Sequence, residues 1–345
     1  MRKISVIIPC YNVASYIDRC MTSMIDQTIG IRDLEIICVD DASTDDTWNC
    51  LQKWEQQFPD NILLLRQEVN RRQGAARNLG LSVASADWIS FVDADDWLEP
   101  DFFEKLYCSV LQCACDVAVC GWVRDSSETL VYAEKNRGEG SVQYLAADTK
   151  DVSQTLLKNM LLGPGVHAKI IRREFLLRNN IFFPEGLMYE DMYWYPLLHL
   201  YAEGVCVVKE YLYHYYMNPH GTVMSRNEMY HLDWFTVQMM KWEDYHRRGL
   251  FEQYGDILEY DALSDAAGFV KLMIFRFDVA PFSFFQLERE FLAIHIPDYK
   301  ENRYASDFSE LYQFFLKILY SSVSETEFQQ MISQAKKSWG VSNDL

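Results

Sequence analysis

Short runs of apolar residues recur through the first hundred positions of the chain and predict β-strands. Many of these residues are β-branched, and the runs are nearly continuous, which is typical of strands buried on both faces of a sheet. The predicted strands are residues 4–8, 34–39, 62–65 and 88–92. The helical spacing between them covers residues 15–27, 45–58 and 74–84. This alternation predicts a doubly wound, mainly parallel α/β sheet.

The pattern changes in the remaining two thirds of the chain. A further helix is predicted over 100–111 and a strand over 117–120, whereas residues 121–150 are polar and predict a hairpin or loop. Short helices and strands mix after that, until helical spacing takes over. The expected divisions are an α/β domain over 1–225, with halves 1–120 and 121–225, and a C-terminal helical region over 226–345.

Charge and cysteine content narrow the range of partners and compartments. The formal net charge of −18 argues against nucleic acid as a partner, because such binding requires a basic surface. The nine cysteines form no CxxC pair, and several lie in apolar runs, which predicts reduced thiols in the cytoplasm. We expect neither a signal peptide nor a transmembrane helix.

Acidic residues directly follow two of the predicted parallel strands. Asp40 and Asp41 follow the second strand, and Asp93, Asp95 and Asp96 follow the fourth. Ligands bind at the carboxyl ends of such strands, and five carboxylates at one edge would repel each other without a cation. Oxygen ligands favour Mg²⁺ or Mn²⁺, which can also bind diphosphate oxygens. Each Asp alone could instead be a turn or helix-capping residue.

Basic residues lie close to this predicted edge in the sequence. Arg71, Arg72 and Arg77 flank Gly74, which opens a predicted helix. Arginine binds phosphate with two parallel hydrogen bonds, and a helix N-terminus favours anions. A solvated loop is the alternative interpretation of Arg71 and Arg72. No GxxxxGK[ST] loop and no strand-following GxGxxG occurs, which disfavours P-loop ATPases and dinucleotide oxidoreductases.

Several segments together resemble the inverting family-two glycosyltransferases of the GT-A fold, in that family's order and spacing. Residues 189–191 resemble the family's acidic motif ahead of the acceptor-side helix, and residues 169–175 resemble the segment before it. The other matching segments are 5–12, 39–45, 74–80 and 91–97. The resemblance covers roughly residues 1–225. It implies transfer of a sugar from a nucleotide-diphosphate donor, most often a UDP-sugar, to an acceptor hydroxyl with inversion.

The resemblance also implies a role for each matched residue. Asp191 would be the catalytic base, and Asp95 would ligate Mn²⁺ or Mg²⁺. Asp40 would accept an N–H of the nucleobase, and Arg77 would lie near the diphosphate or donor sugar. The residues expected to bind the nucleotide or donor are Pro9, Tyr11, Asn12, Asp40, Arg77, Asp93 and Ala94.

Four further residues are weaker candidates for the site. Asp96 and Glu190 extend the acidic motifs. His214 and His220 lie near the end of the resemblance and are candidates to contact a metal or diphosphate. A single histidine among aromatic residues is more often structural. The chain departs from the family pattern at residues 70–73, where Asn-Arg-Arg-Gln replaces a short Gly- or Ser-containing turn.

The resemblance implies a saccharide or lipid-linked saccharide acceptor, in bacterial surface polysaccharide or glycolipid synthesis. Contact with the inner face of the plasma membrane and homo-oligomerisation are left open. A hexosyl and an N-acetylhexosaminyl donor are equally consistent with the motifs. The competing hypothesis is a non-catalytic carbohydrate-binding protein on a degenerate GT-A scaffold, which predicts loss of Asp95 or Asp191. Both residues are present.

Overall fold

The chain divides into two compact units, Met1–Thr222 and Val223–Leu345. The computed structural model describes residues 2–113, 115–133, 137–146, 150–163, 165–219, 221 and 228–339. The predicted boundary between residues 225 and 226 lies outside the described residues, and so does His220.

The first unit alternates strands and helices in its first hundred residues, as the hydrophobic pattern predicts. Its elements in chain order are β1 (Ile4–Cys10), α1 (Ile17–Ile25), β2 (Leu34–Asp40), α2 (Thr47–Gln57), β3 (Ile62–Arg66), α3 (Arg72–Val83), β4 (Trp88–Phe91), β5 (Trp97–Leu98), α4 (Phe102–Gln112), β6 (Val117–Asp125), β7 (Gly138–Ala146), α5 (Lys150–Lys158), β8 (Lys169–Arg172), α6 (Arg173–Arg178), α7 (Glu190–Tyr201) and β9 (Gly204–Tyr216).

These strands form one mixed sheet in the order β3-β2-β1-β4-β8-β6-β9-β5, with β7 also paired to β9. The pairings among β3, β2, β1 and β4 are all parallel. The remaining pairings are antiparallel, apart from the parallel pair β6–β9. The parallel arrangement is thus confined largely to the four strands predicted from the sequence. Strand β7 pairs with β9 rather than forming a hairpin with β6.

Close packing brings α3 onto the parallel strands. A Cβ atom added at Gly80 would lie 2.5 Å from Cγ2 of Ile7 on β1, so only glycine fits there. Both faces of β1 are buried, and Met21 and Met24 of α1 belong to the same core cluster. Because α3 lies directly against β1, its first turns lie close to the sheet edge where β1, β2 and β4 end.

The second unit is helical in its described part, which confirms the predicted C-terminal helical region. Its helices are α8 (Glu228–Arg247), α9 (Phe251–Arg276), α10 (Phe282–His295), α11 (Glu310–Leu319) and α12 (Glu325–Trp339). Its core includes a buried ion-pair cluster, in which Lys241 Nζ lies 2.6 Å from Asp261 and 2.5 Å from Asp265. Within the described residues of the whole chain, no helix has the length and apolar character needed to cross a bilayer.

Candidate functional site

The candidate site lies at the carboxyl ends of three adjacent parallel strands. Since β1 lies between β2 and β4, the residues that follow these strands meet at one edge. Two non-glycine residues here have a left-handed backbone, Asn12 with φ 53° and Ala42 with φ 60°. Such conformations are costly and cluster at functional sites.

The β2 end carries two carboxylates with different surroundings. Asp40 is fully buried, and its Oδ1 accepts a hydrogen bond of 3.1 Å from the backbone N–H of Ser43. Asp41 Oδ1 accepts hydrogen bonds from Gln67 Nε2 at 2.9 Å and from the Arg71 backbone N–H at 2.7 Å. Burial raises the pKa of Asp41. Asp41 therefore holds the loop before α3, whereas Asp40 is enclosed at the end of β2, where its Oδ2 lies 3.0 Å from Arg66 Nε.

The β1 end supplies an exposed aromatic ring and a loop-shaping amide. Tyr11 is 47% exposed, which leaves its ring accessible for stacking. Asn12 Oδ1 accepts a hydrogen bond of 2.8 Å from the Thr44 backbone N–H, and the Asn12 N–H donates to Ser43 Oγ at 3.0 Å. Pro9 lies within β1, in register with Val39. Asn12 thus connects the loops that follow β1 and β2.

Two neighbouring carboxylates after β4 are held by residues in β9 and just after it. Asp95 Oδ2 accepts a hydrogen bond from Asn218 Nδ2 at 3.0 Å. Asp96 is buried and accepts from the Tyr213 hydroxyl at 2.5 Å and from the Tyr216 N–H at 2.8 Å. Burial raises the pKa of both carboxyl groups. Asp96 is therefore occupied in anchoring β9, and its geometry favours a structural role.

Arg77 of α3 bridges two carboxylates from different elements. Its Nη2 donates to Asp93 Oδ1 at 2.6 Å, and its Nη1 donates to Glu190 Oε1. Burial alone would lower the pKa of Arg77, but the charges of Asp93 and Glu190 raise it. Ala94, beside Asp93, is buried. The resemblance places Arg77 near the diphosphate or donor sugar. In the structure Arg77 is paired with Glu190 and with Asp93, which is itself predicted to bind the donor.

The acidic motif at the start of α7 faces the same edge. It follows Tyr189, which has a left-handed backbone with φ 61°. Glu190 also accepts a hydrogen bond from Gln73 Nε2 at 2.9 Å, and burial raises its pKa to about 7. Burial, with a contribution from the charge of Asp93, raises the pKa of Asp191 against the opposing effect of Arg77. Asp191 is not the N-cap of this helix, because that position belongs to Tyr189.

The structure does not support His214 as a ligand of a metal or diphosphate. Its Nδ1 lies 3.0 Å from Asp125 Oδ2, and its Nε2 lies 2.9 Å from Glu99 Oε1. Its ring stacks on Trp97 with centroids 4.8 Å apart. Both ring nitrogens are therefore occupied inside the sheet.

Three residues near the site escaped the sequence interpretation. Tyr213 and Asn218 hold the carboxylates after β4. The aromatic run in β9 was the only local signal for Tyr213, and Asn218 had none. Lys169 is buried, and its ammonium donates to the carbonyl of Gly165. Burial lowers the pKa of Lys169 to about 7, although the charge of Asp191 opposes this change. A buried lysine has no signature in the hydrophobic pattern.

The donor atoms at this edge suit a hard divalent cation. Asp93 and Asp95 offer carboxylate oxygens, which Mg²⁺ and Mn²⁺ prefer over nitrogen and sulfur ligands. In the part of the chain that the structure describes, no group of three or more His, Cys, Asp or Glu side chains is arranged to hold a metal ion.

Comparison with known proteins identifies relatives of this chain. Over 227 residues the chain is 33% identical to the uncharacterised glycosyltransferase YibD of Escherichia coli K12, covering 65% of this chain and 63% of the relative. Over 242 residues it is 28% identical to the poly(ribitol-phosphate) β-N-acetylglucosaminyltransferase TarS of Staphylococcus aureus Mu50, covering 70% of this chain and 40% of TarS. The chain thus spans less than two thirds of the length of either relative.

The fold is similar to a solved structure as well. The crystal structure of S. aureus TarS 1–349 in complex with UDP-GlcNAc superposes with a TM-score of 0.54 at 19% sequence identity, covering 92% of this chain and 79% of that chain. This likeness confirms the expected GT-A fold. The model of the family described as glycosyl transferase family 2 matches residues 5–177, and the chain belongs to that family.

Proposed function

We propose that this protein transfers a sugar from a UDP-sugar to an acceptor hydroxyl with inversion of the anomeric centre. The observation that carries the proposal is the meeting of Asp40, Asp93 and Asp95 with the start of α7 at one sheet edge. TarS, a relative of this chain, is solved with UDP-GlcNAc. That complex supports a UDP-sugar donor in the proposal, with a hexosyl or N-acetylhexosaminyl group.

The donor nucleotide would lie across the ends of β1 and β2. In this proposal Asp40 accepts an N–H of the base, and the exposed ring of Tyr11 stacks on the base. Pro9 and Asn12 shape the pocket wall, because Asn12 fixes the loop after β2. Ala94 is small and buried beside Asp93, and in this proposal it belongs to the donor side of the site.

A divalent ion, Mn²⁺ or Mg²⁺, would be held by Asp95 together with oxygens of the donor diphosphate. When bound, it would neutralise charge on the departing nucleoside diphosphate. The chain's own contribution is to fix Asp95 through Asn218, 3.0 Å away. Asp93 is fixed through Arg77, so both carboxylates have defined positions before a donor arrives.

Asp191 would be the catalytic base. An acceptor hydroxyl must lose its proton as it attacks, and one carboxylate is enough for a single displacement with inversion. Glu190 is unsuited to this role because Arg77 and Gln73 already bind its two oxygens. The raised pKa of Asp191 makes it a stronger base once it is ionised.

The wider setting belongs to the same proposal. The catalytic domain would comprise residues 1–225, and the helical region 226–345 would pack as an accessory unit. The acceptor would be a saccharide or lipid-linked saccharide of bacterial surface polysaccharide or glycolipid synthesis. The reaction would take place in the cytoplasm, where the nine free cysteines would remain reduced. Peripheral contact with the inner membrane face and self-association are further parts of the proposal to test.

The first experiment is calorimetric titration of the full chain with UDP, GDP, dTDP and CDP, each with and without Mn²⁺. Tight, metal-dependent binding of UDP is expected. Hydrolysis of UDP-glucose and UDP-N-acetylglucosamine would then be followed by UDP release, since transferases often lose donor to water. Nucleotide binding without any hydrolysis or transfer would favour the non-catalytic scaffold, and no nucleotide binding by folded protein would refute the proposed donor.

A further inference from the structure

A pocket opens on the side of β4 that faces away from the proposed nucleotide position. The nucleotide is proposed to lie across the ends of β1 and β2, whereas β8 and β6 follow β4 on its other side in the sheet. The pocket has a volume of about 280 Å³. Its lining includes Gly121, Trp122, Leu161, Gly163, His167 and Tyr211. A group that lies beyond the donor diphosphate would reach this side of the sheet.

The pocket adjoins the carboxylates that follow β4. Because β8 runs antiparallel to β4, the residues just before β8 lie at the carboxyl end of β4. His167 is one of them, and its ring centroid lies 5.0 Å from that of Tyr213. The Tyr213 hydroxyl in turn accepts a hydrogen bond of 3.3 Å from the Asp93 N–H. A single aromatic ring therefore lies between His167 and the backbone of Asp93.

A hydrogen bond connects the pocket wall to the helix that carries the proposed base. The N–H of Leu162 donates to Nε2 of His199 at 3.2 Å. His199 belongs to α7, which begins with Glu190 and Asp191. The wall of the pocket and the proposed base are thus held by the same helix, on the side of the site where an acceptor would approach.

His167 brings unpaired polar atoms to this pocket. The side chain is only partly buried, and neither ring nitrogen hydrogen-bonds within the described residues. Neither nitrogen is among the enclosed polar atoms that lack a partner. The ring is held by packing instead, since a Cβ added at Gly165 would lie 2.8 Å from its Nδ1, and its centroid lies 5.4 Å from that of Trp122.

The chemistry of His167 matches a sugar hydroxyl. Burial, with a contribution from the charge of Lys169, lowers the pKa of His167 to about 4, so the imidazole is neutral at physiological pH. A neutral imidazole offers one donor and one acceptor, as a hydroxyl group does. It carries no charge that would attract a phosphate or carboxylate. Lys169 itself is 1% exposed and donates to the Gly165 carbonyl, so it is not counted among the binding groups.

We propose that this pocket binds a sugar ring of the acceptor and that His167 is a specificity-determining residue, which hydrogen-bonds to a hydroxyl of that ring. The inference rests on the proposed function and assigns the position of its acceptor. Trp122 and the 53% exposed Tyr211 supply the aromatic surface against which the apolar face of a sugar packs. The volume lies at the lower limit for ligand pockets, about 300 Å³, which suits one ring.

The test follows the histidine side-chain ¹⁵N resonances of the full chain with UDP and Mg²⁺. Methyl β-glucoside, methyl β-galactoside and methyl N-acetyl-β-glucosaminide are titrated, and the His167 signal is the one missing from His167→Phe. We expect at least one glycoside to shift this signal. Backbone amide shifts should show about five- to tenfold weaker binding of that glycoside to His167→Phe, the loss for one neutral hydrogen bond. His167→Gln, which keeps a donor and an acceptor, should lose less.

UDP release separates the acceptor from the donor sugar. Without a glycoside, release from UDP-glucose or UDP-N-acetylglucosamine should have the same KM in the wild type and His167→Phe. The additional release caused by the glycoside should fall about five- to tenfold in kcat/KM for the glycoside. An equal rise in the donor KM would place the donor sugar in the pocket and overturn the inference. His246→Phe, on the exposed surface of α8, is the matched control and should change neither quantity.

The remaining outcomes also decide the question. No shift of the His167 signal by any of the three glycosides would refute the inference, and equal losses in His167→Gln and His167→Phe would leave His167 a packing role only. If His167→Phe is unfolded by circular dichroism, His167→Gln identifies the signal and the wild-type titration decides. Failure of folded wild type to bind UDP would refute the proposed function, whereas UDP binding without a glycoside response refutes this inference alone.

Discussion

Arg77 donates a hydrogen bond to Glu190 from a position where both side chains are almost fully buried, at 4% and 3% exposure. A second hydrogen bond from the same guanidinium reaches Asp93 at 2.6 Å. One cation therefore connects the second residue after β4 with the first residue of α7. Because Asp191 follows Glu190, this connection also fixes the proposed base relative to the donor side of the site.

Replacing Arg77 with Ala should impair both stability and catalysis. Breaking a buried pair leaves a carboxylate without its cation, which costs about 3–5 kcal/mol of unfolding free energy. Arg77 also lowers the pKa of Glu190 and Asp191, so its loss should move the acidic limb of the pH–rate profile to higher pH. Chemical denaturation and kcat against pH measure the two effects.

Lys3→Ala is the control for the loss of a cation, since Lys3 forms a partly exposed pair with Asp33. That change should cost less than about 1 kcal/mol. Arg77→Lys should restore part of the stability while supplying a single point charge in place of two directed hydrogen bonds. An acidic limb that stays in place in Arg77→Ala would contradict the positioning role.

Asp191→Asn should separate donor binding from transfer. The amide is nearly the same size but cannot accept the acceptor proton, so kcat should fall at least about 10²-fold while UDP affinity stays unchanged. Because the pKa of Asp191 is raised, the wild-type rate should increase with pH through that pKa, and the variant should lack this step. Calorimetry with UDP and a UDP-release assay measure the two quantities.

Asp60→Asn is the matched control, because Asp60 lies in an exposed turn. Loss of UDP binding in Asp191→Asn would exclude Asp191 as the catalytic base.

The hydrophobic pattern was sufficient to predict that the residues following β1, β2 and β4 meet at one sheet edge. Four apolar runs predicted the parallel strands, and the acidic residues after them gave the donor-side carboxylates. The partners of those carboxylates could not be predicted, because they come from distant positions in the chain. Arg77 and Glu190 are 113 positions apart, and Asp95 and Asn218 are 123 apart.

Local patterns also give no information about the partners of buried polar residues. Arg77 is basic and close to a predicted phosphate site, which suggests a diphosphate contact from the sequence alone. His214 lies in an aromatic strand and resembles a candidate ligand, yet both of its nitrogens are occupied within the sheet. Only the three-dimensional packing shows that Arg77 is paired with Asp93 and Glu190 and that both nitrogens of His214 are bound.

Asp95→Ala and Asp96→Ala should give opposite phenotypes although the residues are adjacent. Asp95→Ala should abolish the effect of Mn²⁺ on UDP affinity and change the melting temperature little. Asp96→Ala leaves the Tyr213 hydroxyl and the Tyr216 N–H without their acceptor, which costs about 1–3 kcal/mol for each buried group. Calorimetry and thermal unfolding of both variants measure this contrast. Mn²⁺-dependent UDP binding by Asp95→Ala would show that the ion is held elsewhere.

Glu288 should make the second unit less stable as the pH rises. It is fully buried, its Oε2 accepts from Gln238 Nε2 at 3.1 Å, and burial with the charge of Asp265 raises its pKa to about 8. Folding raises the pKa of this carboxyl group, so its protonation stabilises the folded state. The stabilisation is complete below the unfolded pKa of about 4.3 and is lost as the pH rises to the folded pKa. Each unit of difference is worth about 1.4 kcal/mol. The free energy of unfolding should therefore fall between about pH 4.5 and 8.

Glu288→Gln is the variant that isolates this effect, because its amide is neutral at every pH and keeps the side-chain shape. The nearby groups Lys241, Asp261 and Asp265 remain in the variant, and burial raises the pKa of Asp265 to about 7. Part of the pH dependence should therefore persist, with a smaller slope between about pH 5 and 8 than in the wild type. Calorimetric melting of both proteins from pH 5 to 9 gives the comparison. Identical slopes would mean that Glu288 stays ionised in the folded protein and that a partner compensates its charge.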